Sequence, residues 1–155
     1  MAAKVKLDAI VGELEISSDN LLSFVDRETG EVLGVTRDVL DQADADPELP
    51  DGMPEWEIQI FEDARRILQD PSRFPGLPDQ FEVDEYSIMA EFCDSVQNDR
   101  LRDELFDAIR GKGAFRRFKD VLSRRKLWDH WSTFKTEALR EIAKDWCEEH
   151  KIEYV

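Results

Sequence analysis

Two cysteines, two histidines and no long apolar run: this 155-residue chain has little of what marks secreted, metal-bound or membrane proteins. Cys93 and Cys147 have neither the number nor the spacing of a disulfide framework or a zinc site, which points to a reducing compartment and, by default, the cytoplasm. Both lie on apolar helical faces, where a thiol is inert. His130 and His150 have no companion ligands nearby, so no metal is expected, and His130 reads as packing at a helix start. No stretch approaches the ~20 apolar residues of a membrane span, and Asp8 and Glu13 interrupt the N-terminal segment before a secretory signal could form. Basic residues are also short, 21 against 36 acidic, for a net charge of -15 and a pI of 4.5. That balance argues against nucleic acid as a partner without excluding it. Serine and cysteine lack any nucleophile setting, and no cofactor motif is present.

What is present suffices for one self-supporting domain over residues 1–155. Hydrophobic residues make up 41%, with nine Phe and four Trp, and a chain of this length buries roughly 70% of its unfolded surface. Leu7, Ile10, Val11 and Leu14 recur at steps of three and four, which predicts a short amphipathic helix. Leu22 and Phe24, a Gly30-containing turn, and Val32, Leu33 and Val35 predict a β-hairpin. Residues 41–54, rich in acid and proline, read as an acidic loop. A helix from Pro54 is expected to bury Trp56, Ile60, Ala64 and Ile67.

From Asp84 onward the pattern is helical. Tyr86, Met89, Cys93 and Val96 share one face, and Leu101, Leu105 and Ile109 share the next after a cap at Asn98 or Asp99. Phe115, Phe118, Val121 and Leu122 are expected inward on a third helix, and Trp131, Phe134, Ala138, Ile142 and Trp146 on a fourth. Residues 152–155 can add a third strand to the hairpin. The expected fold is therefore α+β: an N-terminal helix and hairpin, joined by a C-terminal strand, against a mostly helical C-terminal half.

One segment breaks the acidic trend. Residues 110–126 hold eight of the 21 basic residues against Asp120 alone, which leaves about -22 on the rest of the chain. Lys112, Arg116, Arg117 and Lys119 are the candidate contacts of a basic helical face, and Gly113 opens its helix. The Gly111-Lys112-Gly113 turn has two readings: a helix C-cap with a tight turn, or a small anion site made by Lys112 and the N–H groups after Gly113. It lacks P-loop spacing, and no Ser or Thr follows the lysine. Because Phe115 and Phe118 are read as buried, no stacking platform for bases is expected.

The stretch Gly111-Lys112-Gly113-Ala114-Phe115-Arg116-Arg117-Phe118-Lys119-Asp120 resembles the signature of an uncharacterised bacterial protein family. Further landmarks agree: Asp84-Glu85-Tyr86 with Met89 and Phe92, Trp131 with Phe134, Glu137-Ala138-Leu139, Trp146, and Ile152-Glu153-Tyr154. The resemblance implies one compact domain of unassigned activity and transfers no catalytic residue. Ser132 and Lys135 depart from the family pattern, which often has an aromatic and an arginine there, and lysine makes a point-charge contact where arginine makes a bidentate one. The expectation is a non-catalytic cytosolic binding module whose basic face takes an acidic protein segment or a phosphate-bearing ligand, with no cofactor and no membrane partner. The alternatives are an enzyme for a phosphorylated small molecule, in which Lys112 would meet Asp84 or Glu85 in a pocket, and a nucleic-acid-binding protein.

Overall fold

A computed structural model describes residues 4–16, 20–78 and 84–155. It is α+β, with helices α1 (Leu7–Glu15), α2 (Arg37–Ala45), α3 (Glu55–Gln69), α4 (Glu85–Ser95), α5 (Asp99–Ala108), α6 (Ala114–Arg124) and α7 (Trp128–Glu149), and strands β1 (Leu21–Val25) and β2 (Val32–Thr36). Two compact units emerge: a hairpin unit of Met1–Val83 and Arg140–Val155, and a helical unit of Asp84–Leu139. Helix α7 contributes its first half to the helical unit and its second half to the hairpin unit.

In the hairpin unit, α1 buries the four expected residues Leu7, Ile10, Val11 and Leu14. Strands β1 and β2 pair antiparallel from Leu21 opposite Thr36 to Val25 opposite Val32. The core gathers Leu33, Val35, Val39, Ala43, Phe61, Ala64, Ile67 and Phe74. The turn between the strands closes through Asp26 and Gly30, whose amides reach Glu31 O and Asp26 O at 2.8 Å each. Gly30 has φ +76, and a Cβ there would lie 2.6 Å from the Lys4 carbonyl oxygen, so only glycine fits.

Three expectations change here. Asp41–Ala45, read as part of an acidic loop, belongs to α2: Thr36 caps it by accepting from Val39 N, and Val39 and Ala43, one turn apart, are buried. Acid content does not prevent a helix when the acids face water and one stripe is apolar. In α3, Phe61, Ala64 and Ile67 form the buried stripe, whereas Trp56, in the first turn, is 70% exposed. The tail joins not the hairpin but the N-terminal segment: Val5 and Tyr154 form a parallel bridge, with Val5 N on Glu153 O at 3.0 Å and Val155 N on Val5 O at 2.9 Å. The chain ends are tied together as expected, but β1's second neighbour is the stretch at Gly76, bridged to Phe24. The Trp146 indole donates to Gly76 O at 3.0 Å.

In the helical unit, Asp84 and Asn98 cap α4 and α5 by accepting from Ser87 N and Leu101 N. An aromatic cluster forms the core. Phe118 meets Trp131 edge-on at 4.9 Å and Phe92 at 6.0 Å, and Phe92 meets Trp131 and Phe134 at 5.4 Å each. Such pairs contribute about 0.5–1.5 kcal/mol each beyond the area they bury. Cys93 and Cys147 are both buried and free, and burial pushes each thiol up to about 11, the inert state expected of them.

Candidate binding surface

Helix α6 carries the basic segment and is held from below by Ala114, Phe118, Val121 and Leu122. That stripe fixes where every charged side chain points. At 100° per residue, Phe115, Lys119, Ser123 and Arg116 fall within an arc of about 100° on one flank, while Arg117, Asp120 and Arg124 fall on the other. The two flanks have different fates.

On the α5 side the cations are engaged. Arg124 and Arg125 converge on Glu104, at 3.1 Å and 2.7 Å. The hydrogen bond from Arg125 is the main cause holding the Glu104 carboxyl below its usual range. Arg117 directs its guanidinium at the end of α5 and donates to the carbonyl oxygens of Ala108, at 2.9 Å, Arg110 and Lys112. The Tyr86 hydroxyl takes the remaining carbonyl, Ile109 O, at 3.0 Å. The last carbonyl of α5 and three carbonyls of the turn after it are thus satisfied by two side chains. The turn passes through left-handed backbone at Gly111 (φ +68) and Gly113 (φ +78), and a Cβ on Gly113 would sit 3.0 Å from the Arg117 guanidinium nitrogen. An open groove of about 350 Å³ on this side is lined by Glu104, Asp107, Arg117, Asp120 and Arg124 among others.

On the other flank the cations are unengaged. Arg116 and Lys119 are exposed, as is Lys112 in the preceding turn, and among the described residues none of the three has an ion-pair partner. Phe115 stands beside them, 45% exposed. This corrects its expected inward position: it lies at the edge of the stripe that Ala114, Phe118, Val121 and Leu122 bury. Trp128, 42% exposed, follows, with its indole N–H on Ser123 Oγ at 2.9 Å. The result is a strip of cations bordered by aromatic rings.

The sequence-derived site residues therefore divide. Arg116 and Lys119 share a face of α6, Lys112 is exposed in the turn before it, Gly113 starts the helix in left-handed geometry, and Arg117 clasps the turn. Asp84 is the cap of α4, and Glu85 pairs with Lys135 at 3.0 Å; neither lines the groove beside α6, and Lys112 does not line it either. Among the described residues no group of three or more His, Cys, Asp or Glu could hold a metal ion, and no helix is long and apolar enough to cross a membrane.

The model of the uncharacterised protein family UPF0158 matches residues 3–155. The chain belongs to this family. No curated protein and no solved structure matches it significantly. In this UPF0158 member the Gly-Lys-Gly segment is a clasped helix-to-helix turn that ends α5, starts α6 and sorts the cations beyond it into bound and unbound sets.

Sequence reasoning passed over one further constellation, in the hairpin unit. Asp26 is fully buried and accepts from Arg73 Nε at 2.8 Å and Nη2 at 2.9 Å, with its own Oδ1 also taking Glu28 N at 2.9 Å. Arg66 stands 3.5 Å away. The Arg73 hydrogen bond, against the opposing effect of burial, lowers the Asp26 carboxyl to about 2. The guanidiniums of Arg66 and Arg73 both lie over the Phe74 ring, at 5.4 and 5.2 Å. This network ties the hairpin turn to the segment after α3. A sequence separation of 47 positions between the partners leaves no local signal for it.

Proposed function

We propose that the protein is a non-catalytic, cytoplasmic binding module that takes an acidic protein segment on the outer flank of α6. Lys112, Arg116 and Lys119 supply the charge, and Phe115, bordered by Trp128, supplies the apolar anchor. The observation that carries this reading is the exposure of Phe115 beside Arg116 and Lys119, cations that have no ion-pair partner among the described residues. A cationic side chain already paired gains little from a new anion, whereas an unpaired one beside an exposed ring offers both steering and a desolvated contact. An acidic peptide with one large apolar side chain meets both needs, and a bare phosphate would leave the ring unused.

Nucleic acid is the competing reading, because the exposed Phe115 supplies a ring on which a base could stack. Fluorescence anisotropy with three probes separates the readings: a labelled peptide of glutamates around a central phenylalanine, a labelled oligothymidylate, and inorganic phosphate as competitor. The peptide is expected to bind the wild type, and Arg116→Glu with Lys119→Glu to weaken it at least roughly tenfold. Equal peptide binding by both proteins overturns the proposal. Tighter binding of the oligonucleotide, falling by roughly 0.9 log units per log salt for each phosphate neutralised, replaces it with the nucleic-acid reading.

A further inference from the structure

The chain itself contains a segment with the chemistry that the basic strip fits. Between Asp44 and Glu57 there are six acidic residues, Asp44, Asp46, Glu48, Asp51, Glu55 and Glu57, and no basic one. All but Glu57 are exposed. Two large apolar side chains rise from the same stretch: Trp56, 70% exposed, and Leu49, 39% exposed. The stretch is anchored at both ends, by Ala43 in the core at the end of α2 and by Phe61 in the core of α3, and the Arg65 guanidinium holds Pro47 O at 2.9 Å. It is thus an acidic, aromatic surface on a fixed base. Trp56 is the most exposed large hydrophobic side chain described. A tryptophan left in water gives up a large burial gain and is among the commonest anchors of protein contacts.

We infer that the occupant of the α6 strip is a second copy of this chain, which presents its residues 44–57 to Lys112, Phe115, Arg116 and Lys119. The inference rests on the basic-face reading above and names its partner. Each copy carries a net charge of -15, so two copies repel at long range, and a screening length of about 8 Å at physiological salt confines that repulsion. Only a local meeting of opposite signs can hold them, and these two surfaces are where the opposite signs are concentrated. The contact joins two different patches. Two copies related by a two-fold axis make it twice, strip to segment and segment to strip, while a head-to-tail arrangement continues into a ring or an open chain of copies.

The test uses the full chain and two exposed-surface variants, followed by sedimentation velocity at 150 mM salt over a concentration series. Arg116→Glu with Lys119→Glu removes the strip and keeps the acidic segment; Glu48→Lys with Asp51→Lys does the reverse. The wild type is expected to associate with rising concentration, each variant alone to remain monomeric with unchanged circular dichroism, and an equimolar mixture of the two to associate again, since each supplies the patch the other has lost. Trp56→Ala, which leaves every charge in place, is expected to weaken wild-type association about tenfold. A wild type that stays monomeric up to about 1 mM, or variants that associate as well alone as the wild type does, overturns the self-pairing. If the glutamate–phenylalanine peptide still binds the wild type in that case, the basic-face reading stands without it. If that peptide also fails, both fall.

Discussion

The helical unit and the hairpin unit hold their charges in opposite ways. Asp84–Leu139 contains 11 acidic and 11 basic residues, while the rest of the chain contains 25 and 10. The whole net charge of the molecule therefore belongs to the hairpin unit, and the helical unit is neutral. Yet the neutral unit carries the cluster of Lys112, Arg116 and Lys119, which have no ion-pair partner among the described residues. In the hairpin unit the arginines are drawn into the architecture: Arg73 and Arg66 onto Asp26, Arg27 onto the carbonyls of Ser72 and His150, and Arg140 onto Asp8 at 2.6 Å. In the helical unit, the periodicity of α6 sends half its cations to α5 and leaves the other half facing water. What decides whether a surface can recruit a partner is which charges the fold has already paired, and net charge says little about it.

The comparison is broken most forcefully by removing the centre of each unit. Asp26→Ala leaves Arg73 and Arg66 without their shared carboxylate and is expected to cost about 3–5 kcal/mol, the usual penalty for breaking a buried ion pair. Phe118→Ala empties the middle of the aromatic cluster, and large-to-small changes of this kind cost about 3–5 kcal/mol. Hydrogen exchange distinguishes the two. The first variant should lose protection chiefly over residues 21–78, the second chiefly over residues 85–127. Equal loss everywhere in both variants would mean that the units are a single cooperative body and that the division is only spatial.

Most of the architecture could be read from spacing alone, because helices such as α1 and α6 bury one stripe at a period of 3.6 residues and β2 alternates at a period of 2. The elements that escaped show the limits of that signal. Asp41 to Ala45 has the composition of a loop, although Val39 and Ala43 sit one turn apart and are buried. Spacing puts Phe115 and Trp56 in line with the inward residues, but both lie at the margin of their stripe and are exposed, 45% and 70%. The terminal pairing of Val5 with Tyr154 and the bond between Asp26 and Arg73 join residues distant in sequence, and no local pattern encodes such closures. At the candidate site, the basic face itself was legible. Its division was not, since Arg117 differs from Arg116 only in the direction that one residue of helix gives it.

A second, smaller effect sharpens the contrast through pH. The Asp26 carboxyl lies at about 2, below its ordinary 3.8. A depressed carboxylate stabilises the fold above its unfolded value, and that contribution fades as pH falls toward the folded one. Between about pH 4 and pH 2 the wild type should lose about 2 kcal/mol that Asp26→Asn does not lose. Denaturant titrations of both proteins across that range measure the difference, and parallel curves would remove Asp26 from its place at the centre of the hairpin unit.

The smallest expected effect separates two adjacent arginines. Arg117→Ala withdraws the donors from Ala108, Arg110 and Lys112, and because these carbonyls lie near solvent the loss should be only about 1 kcal/mol. Arg117→Lys should recover little of it, since an ammonium cannot reach three divergent carbonyls as a planar fork does. Arg116→Ala should change stability by less than about 0.5 kcal/mol, but it should weaken binding of the glutamate–phenylalanine peptide, which Arg117→Lys leaves nearly intact. Stability and binding measured on the same three variants thus test whether the flank of α6 that a side chain occupies decides its role. If Arg116→Ala proved the more destabilising, the clasp and the open strip would have been assigned to the wrong residues.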